Sequence, residues 1–85
     1  MVPELGKRSE RGSFVFTGLA AVHLQRQDFE RAERALGEAA TLARGLWAEK
    51  RAPIAATYEA YARMLRERRR AKDAARVKGL SMGLR

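Results

Sequence analysis

The sequence predicts an all-α fold in which antiparallel helical hairpins stack as a short α-solenoid of about four helices. Three observations support this prediction. Alanine, arginine, glutamate and leucine dominate the 85 residues, and these residue types favour helices. Apolar residues recur at steps of three and four, the spacing of one helix face. The order of large and small residues also returns after a shift of 42 residues, which takes Ala20 onto Ala62.

The start of the chain differs from the rest. Residues 1–12 are polar, lack helical periodicity and contain Pro3, Gly6 and Gly12, which predicts a flexible N-terminal arm. Ser13 is a suitable cap for a first helix that extends to about residue 26. The apolar residues of this helix form more than one stripe, so we expect neighbours on more than one side. They are Phe14, Val15, Phe16, Leu19, Ala20, Val22, His23 and Leu24.

Three further helices are expected. Asp28 is a suitable cap for the second helix, whose apolar stripe extends from Phe29 to Leu46. Pro53 suits a first helical turn and is expected to begin the third helix, which ends near residue 68. The fourth helix is expected over residues 71–84. Only Asp73 and the crowded charges of residues 68–70 indicate a turn between the last two helices, so one continuous helix is the alternative.

The 42-residue shift defines two units of similar design. Five positions are identical between segments 16–40 and 58–82: Ala20 and Ala62, Arg26 and Arg68, Ala32 and Ala74, Arg34 and Arg76, Gly37 and Gly79. The large residues also correspond, since Phe16 aligns with Tyr58 and Leu19 aligns with Tyr61. Each unit therefore carries the same succession of large and small side chains.

This succession resembles the tetratricopeptide repeat. The period is longer than the usual unit of about 34 residues and is similar to the variant of kinesin light chains and many bacterial signalling proteins. That variant carries a charged stretch and a proline before the next repeat, as residues 49–53 do here. The resemblance implies one domain over residues 13–85, with repeats at about 13–47 and 53–84. Lys78 departs from the pattern, because a large apolar residue is expected there.

The resemblance also implies how each hairpin packs. Ala32 would let the second helix approach the first at Ala20, and Ala74 would let the fourth approach the third at Ala62. The residues expected to pack within and between the repeats are Leu19, Ala20, Phe29, Ala32, Leu36, Tyr61, Ala62 and Ala74.

The net charge of +8 is concentrated near the C-terminal end. Residues 63–85 contain nine Lys or Arg and two Asp or Glu, a balance of +7, whereas residues 1–62 contain nine and eight. This excess is either a solvated surface or a site for an anionic partner, such as an acidic peptide, nucleic acid or lipid headgroups. The expected basic patch consists of Arg68, Arg69, Arg70 and Lys72.

The sequence carries only weak signals for secretion or membrane insertion. Basic residues before the apolar stretch 14–22 resemble a secretory signal peptide, but Glu4 and Glu10 dilute that charge and the helical pattern continues through Leu24. The chain contains no cysteine, which fits a reducing compartment. No segment reaches the roughly 20 apolar residues of a membrane span. A cytoplasmic protein without a membrane span is therefore expected.

The sequence predicts no enzyme, no cofactor and no metal site. It has one histidine, no cysteine and no glycine-rich phosphate loop. His23 is predicted to pack in the core, and Asp28, Glu30 and Glu33 to favour the start of the second helix through its dipole; a cation site at these acids is the alternative. Trp47 is predicted to cover the space between the repeats, with an exposed anchor for a partner as the alternative.

In the family that the chain resembles, the first helices of successive repeats line a concave groove for an extended peptide or a partner's helix. The resemblance therefore implies a non-catalytic protein–protein interaction module, with nonspecific nucleic-acid binding through the basic end as the alternative. One apolar and one basic end would suit an acidic–hydrophobic segment. Two repeats also leave apolar faces open, which implies self-association or further repeats. The expected groove residues are Phe14, Thr17, Ala21, Leu24, Gln25, Ala56, Glu59, Arg63, Arg66 and Glu67.

Overall fold

The chain folds into two helical hairpins. The computed structural model describes the backbone of residues 3–84 and the side chains of residues 9–84. It contains the helices α1 (Pro3–Gln25), α2 (Phe29–Leu42), α3 (Ala48–Glu67) and α4 (Ala71–Gly83), and no strand within the described residues. α1 packs against α2 and α3 against α4, while α3 also contacts both helices of the first hairpin. The predicted stack of helical hairpins is therefore confirmed.

The first helix begins ten residues earlier than predicted. Residues 3–12, expected as a flexible arm, are helical; residues 1 and 2 lie outside the described residues. Pro3 suits the first helical turn, and Ser13 is a buried residue of the helix interior, whose carbonyl accepts a hydrogen bond from Thr17 Oγ1 at 2.7 Å. A Cβ at Gly12 would lie 2.7 Å from Leu42 Cδ1. Gly12 thus permits a close approach between α1 and the end of α2 rather than flexibility.

The turn between α1 and α2 is a Schellman motif. Gln27 adopts the left-handed conformation, with φ 61°, and its N–H donates to the Leu24 carbonyl at 2.9 Å. The N–H of Asp28 donates to the His23 carbonyl at 2.8 Å. Asp28 then caps α2 as predicted, because its carboxylate accepts from the Arg31 N–H at 3.4 Å.

The turn between α3 and α4 repeats this geometry 42 residues later. Arg69 also has φ 61°, and its N–H donates to the Arg66 carbonyl at 2.9 Å. The N–H of Arg70 donates to the Leu65 carbonyl, also at 2.9 Å. α3 and α4 are therefore separate helices, and the alternative of one continuous helix is wrong. The repeat seen in the sequence is a repeat of backbone hydrogen bonds as well.

The connection between the hairpins differs from the prediction. α2 ends at Leu42 rather than Leu46, and α3 begins at Ala48, five residues before Pro53. Pro53 is accommodated inside α3 because it is exposed and lies in the second turn, where its ring removes one backbone hydrogen bond near the helix start. Trp47 takes an extended conformation just before α3 and is 79% exposed. The prediction that its ring covers the space between the repeats is wrong.

Alanines are buried between the helices of each hairpin. Ala20 and Ala32 in the first hairpin, and Ala62 and Ala74 in the second, are buried in one continuous core. Large residues at the predicted positions complete it: Leu36, Tyr58, Tyr61 and Leu65 are buried, and Phe16 and Phe29 pack against them.

Two positions of the predicted packing scheme differ. Leu19 was expected to pack, but it is 44% exposed, because no described helix covers this side of α1, whereas α2 covers the equivalent Tyr61 of α3. On α4, Val77 fills the core next to the exposed Lys78. Val77 corresponds to the buried Ala35 of α2, so both helices present the same face to the core. Lys78 is exposed because, among the described helices, none covers the side of α4 that corresponds to Leu36 of α2.

A larger residue at the buried alanine of α2 should destabilise the fold. Ala32→Leu must force α1 and α2 apart, at a cost of about 1–3 kcal/mol, and each kcal/mol lowers the Tm by about 4–8 °C in a domain of this size. Ala48→Leu is the control, because Ala48 is exposed at the start of α3. Thermal unfolding followed by circular dichroism measures both. Equal shifts for the two variants would contradict the packing scheme.

Glycine at the left-handed position of the second turn should stabilise the fold. Arg69→Gly removes the steric conflict of a side chain at positive φ, which costs about 1–2 kcal/mol, although the flexibility of glycine in the unfolded chain offsets part of this gain. Arg63→Gly is the control of opposite sign, because Arg63 lies exposed inside α3, where glycine costs about 1 kcal/mol. Urea unfolding should move the midpoint up for the first variant and down for the second. A loss of stability in both would contradict the turn geometry.

Candidate partner-binding groove

An open groove lies between α1 and α3, the first helices of the two hairpins. Its volume is about 570 Å³. The side chains that face it are mainly apolar, with polar groups at one end. It is lined by Glu10, Ser13, Phe14, Thr17, Gly18, Ala21, Leu46, Glu49, Lys50, Pro53, Ile54 and Thr57.

The α1 side of the groove agrees with the sequence prediction at three positions. Phe14, Thr17 and Ala21 line it, and Phe14 is 79% exposed. Leu24 was expected in the groove but is only 5% exposed, because it faces the core. Gln25 is exposed beyond the residues that line the groove.

The α3 side of the groove differs from the prediction. Pro53, Ile54 and Thr57 line it, whereas Glu59, Arg63 and Arg66 do not, and neither do Ala56 and Glu67. The cause is the register of the two helices. Lys50 of α3 binds Glu10 of α1 at 2.8 Å, so the groove is formed by the first turns of α3. The predicted basic end near the last turns of α3 is therefore not part of this groove.

The ion pair between Glu10 and Lys50 marks the polar end of the groove. The carboxylate oxygen of Glu10 accepts from Lys50 Nζ at 2.8 Å, and this hydrogen bond raises the pKa of Lys50. Both side chains are about half exposed. A pair of this exposure contributes little to stability, so it shows which turns of α1 and α3 lie side by side rather than holding the two helices together.

A polar joint holds the two hairpins together on the other side. Both carboxylate oxygens of Glu33 in α2 accept hydrogen bonds from the guanidinium of Arg76 in α4, each at 2.8 Å. The Tyr61 hydroxyl of α3 donates to Glu33 Oε1 at 2.9 Å. Glu33 was expected only to favour the start of α2. No local spacing signals its actual role, because its partners lie 28 and 43 residues away along the chain.

Aromatic contacts extend this joint. The rings of Phe29 and Tyr61 stack with centroids 5.7 Å apart and planes inclined by 25°. The guanidinium of Arg68 lies over the Phe29 ring, 5.1 Å from its centroid, a geometry favourable for a cation–π interaction. α2, α3 and the turn before α4 are thus joined around one carboxylate and two rings.

The joint shifts the pKa values of its members in opposite directions. The hydrogen bonds from Arg76 hold the pKa of Glu33 below its usual value of 4.5, although partial burial opposes this effect. Burial, followed by the hydrogen bond to Glu33, raises the pKa of Tyr61 from 10.0 to about 12. The same Glu33 hydrogen bonds raise the pKa of Arg76. The folded state therefore favours ionised Glu33 and a protonated Tyr61 hydroxyl.

The predicted basic patch is partly engaged in internal contacts. Arg68 covers Phe29, and Arg70 pairs with Asp73 at 2.8 Å. Arg69 and Lys72 are exposed and, within the described residues, pair with no carboxylate. Two of the four predicted cations are therefore available to an external anion without breaking a contact.

The other candidate residues lie apart from the groove. His23 is partly buried on α1, and Glu30 pairs with Arg34 of the same helix at 3.3 Å. In the part of the chain that the structure describes, no three His, Asp or Glu side chains are arranged to hold a metal ion. Of the four described helices, none has the length and apolar character to cross a membrane.

Comparisons with protein-family models, with curated proteins and with solved structures produced no match to this chain. The likeness to the tetratricopeptide repeat therefore remains a resemblance of residue pattern, and the recurring turn geometry shows only that the two hairpins resemble each other.

Thermal unfolding at alkaline pH should reveal how much the polar joint contributes to stability. Because the pKa of Tyr61 is raised in the folded state, its contribution to stability is complete below pH 10 and is lost as the pH rises through about 12. Tyr61→Phe should therefore show a smaller loss of Tm than the parent chain between pH 10 and pH 12. Tyr58→Phe is the comparison, because burial also raises the pKa of Tyr58. It should reduce the alkaline loss of Tm less than Tyr61→Phe does, since it keeps the bond between Tyr61 and Glu33. Parallel pH profiles for Tyr61→Phe and the parent chain would contradict the assigned role.

Proposed function

We propose that the chain is a non-catalytic interaction module that binds a segment of a partner protein in the groove between α1 and α3. The observation that carries the proposal is the groove itself, with the Phe14 ring exposed at its wall. An exposed aromatic side chain beside an apolar cleft is a common anchor of protein–protein interfaces. α1 and α3 are the first helices of two equivalent hairpins, the elements from which the family resemblance implies a binding surface.

The lining of the groove defines the chemistry of the partner. Gly18 and Ala21 leave space along the α1 wall, and Pro53, Ile54 and Thr57 supply the opposite wall. Such a surface fits the apolar face of a partner helix or alternate side chains of an extended segment. Acidic residues at the end of that segment would meet Lys50 at the polar end of the groove. We therefore propose an apolar segment with an acidic flank as the partner.

The basic C-terminal hairpin supports a second proposal, nonspecific binding of nucleic acid. Its charge balance of +7 over residues 63–85 favours a polyanion. The internal contacts of Arg68 and Arg70 reduce the charge that is available. The two proposals differ in the surface that they use, so variants of the groove distinguish them.

Filling the groove should remove peptide binding. A displayed library of helical peptides with an apolar stripe and an acidic flank supplies the probe, and fluorescence anisotropy measures the affinity of the selected peptide. Ala21→Arg places a long side chain in the groove and should weaken binding at least tenfold, which corresponds to about 1.4 kcal/mol. Ala56→Arg is the control, because Ala56 is exposed on α3 outside the groove, and its effect should stay within about twofold.

The same variants test the second proposal. Equal affinities for Ala21→Arg, Ala56→Arg and the parent chain would contradict the groove as the binding site. Random-sequence duplex DNA is the probe for the basic hairpin. DNA binding that falls steeply with salt and does not respond to Ala21→Arg would favour the nucleic-acid proposal.

A further inference from the structure

α1 carries a second apolar surface, which faces away from the core and borders the groove at Gly18. Val15, Leu19 and Val22 are exposed at positions i, i+4 and i+7, so they form one stripe on the helix. Gly18 lies beside this stripe, and a Cβ added there would meet no atom within 4 Å. The outer stripe is therefore three apolar side chains around a shallow notch.

The internal repeat indicates what such a surface contacts. A shift of 42 residues takes Val15, Leu19 and Val22 onto Thr57, Tyr61 and Met64 of α3. In α3 these residues pack against the first hairpin: Thr57 lines the groove with α1, Tyr61 stacks on Phe29 of α2, and Met64 packs on the core. The equivalent face of α1 thus has the shape of a surface that receives a helix, and no described helix lies on it.

Charge and side-chain chemistry indicate which partner covers the outer stripe of α1. Residues 9–47 contain five Arg and five Asp or Glu, so the first hairpin is neutral in this region, whereas residues 63–85 carry +7. A second copy that docked through its α4 would also bring Lys78 to the position equivalent to the fully buried Leu36. Burial of an unpaired lysine is unfavourable. Contact between two α1 helices, each with a net charge of only +1 over residues 3–25, avoids the buried lysine and leaves the basic hairpins far apart.

We propose that two copies of the chain form a twofold dimer through the outer stripes of α1, packed antiparallel. A twofold contact requires a self-complementary surface. The outer stripe is self-complementary when the twofold axis passes between residues 18 and 19. Val15 then lies opposite the partner's Val22, and Leu19 enters the notch left by the partner's Gly18. Aliphatic side chains meet aliphatic side chains at every central position, and the small residue lets the helices approach closely.

Oligomeric state is the first test. Sedimentation from about 1 μM to about 1 mM covers the range in which small interfaces dissociate, and the mass should rise from monomer to dimer and no further. Leu19→Arg should weaken association at least tenfold. Leu80→Arg is the matched control, because Leu80 is 43% exposed and Leu19 is 44% exposed, and it should change the dissociation constant by less than about twofold. A monomer at all concentrations, or equal effects of the two variants, overturns the proposal.

Disulfide cross-linking tests the antiparallel register, because the described chain contains no cysteine. Val15→Cys mixed with Val22→Cys should form a cross-linked dimer on oxidation, whereas each variant alone should not. Cross-linking of each variant with itself would indicate a parallel contact and overturn the proposal. Ala75→Arg separates the remaining alternative, because Ala75 is exposed on α4 and is equivalent to Glu33 of α2, which contacts α3. It should leave association unchanged, whereas a loss as large as that of Leu19→Arg would show head-to-tail stacking through α4 and overturn the twofold arrangement.

Discussion

The close approach of helices at buried alanines is the constraint on which the rest of the structure depends. Ala20 and Ala32 in one hairpin, and Ala62 and Ala74 in the other, are almost fully buried. Helices this close need an abrupt chain reversal, and both hairpins achieve it with a left-handed residue that is not glycine. Such a conformation costs about 1–2 kcal/mol. We infer that the packing of each hairpin, rather than the turn residue, maintains the reversal.

The two hairpins share a backbone design but differ in the chemistry of their faces. Where Tyr61 of α3 bonds to Glu33 and stacks on Phe29, the equivalent residue of α1 is the exposed Leu19. The polar joint therefore exists once in the described chain, between the hairpins, and sets their relative position. Because the first turns of α3 are held beside α1, the groove lies at Phe14 and Ile54 and not at the last turns of α3.

The features of the fold that depend on residues close together in the sequence could be predicted from it. The cap at Asp28, the two hairpins and the buried alanines follow from spacing and side-chain size, and the structure has them. The errors come from contacts between distant segments. Glycine usually indicates a break in a helix, yet Gly12 lies inside α1 and leaves room for the Leu42 side chain. Leu24 fitted both the predicted core stripe and the predicted groove stripe of α1, and in the structure it packs in the core. In the same way, three of the residues expected on α1 line the groove, whereas those expected on α3 do not, because the first turns of α3 and not the last lie beside this part of α1.

The basic residues and the apolar surfaces lie in different parts of the molecule, so interactions at the two kinds of surface respond to salt in opposite ways. The outer stripe belongs to α1, and the groove lies between α1 and the first turns of α3, outside the basic residues 63–85. Contacts of apolar surface at these sites are not weakened by screening. The excess of +7 lies in residues 63–85, where attraction to any polyanion falls as salt rises. Added salt also screens the repulsion between two copies of net charge +8. An interaction that persists or strengthens at higher salt therefore belongs to α1, and one that disappears belongs to the basic hairpin.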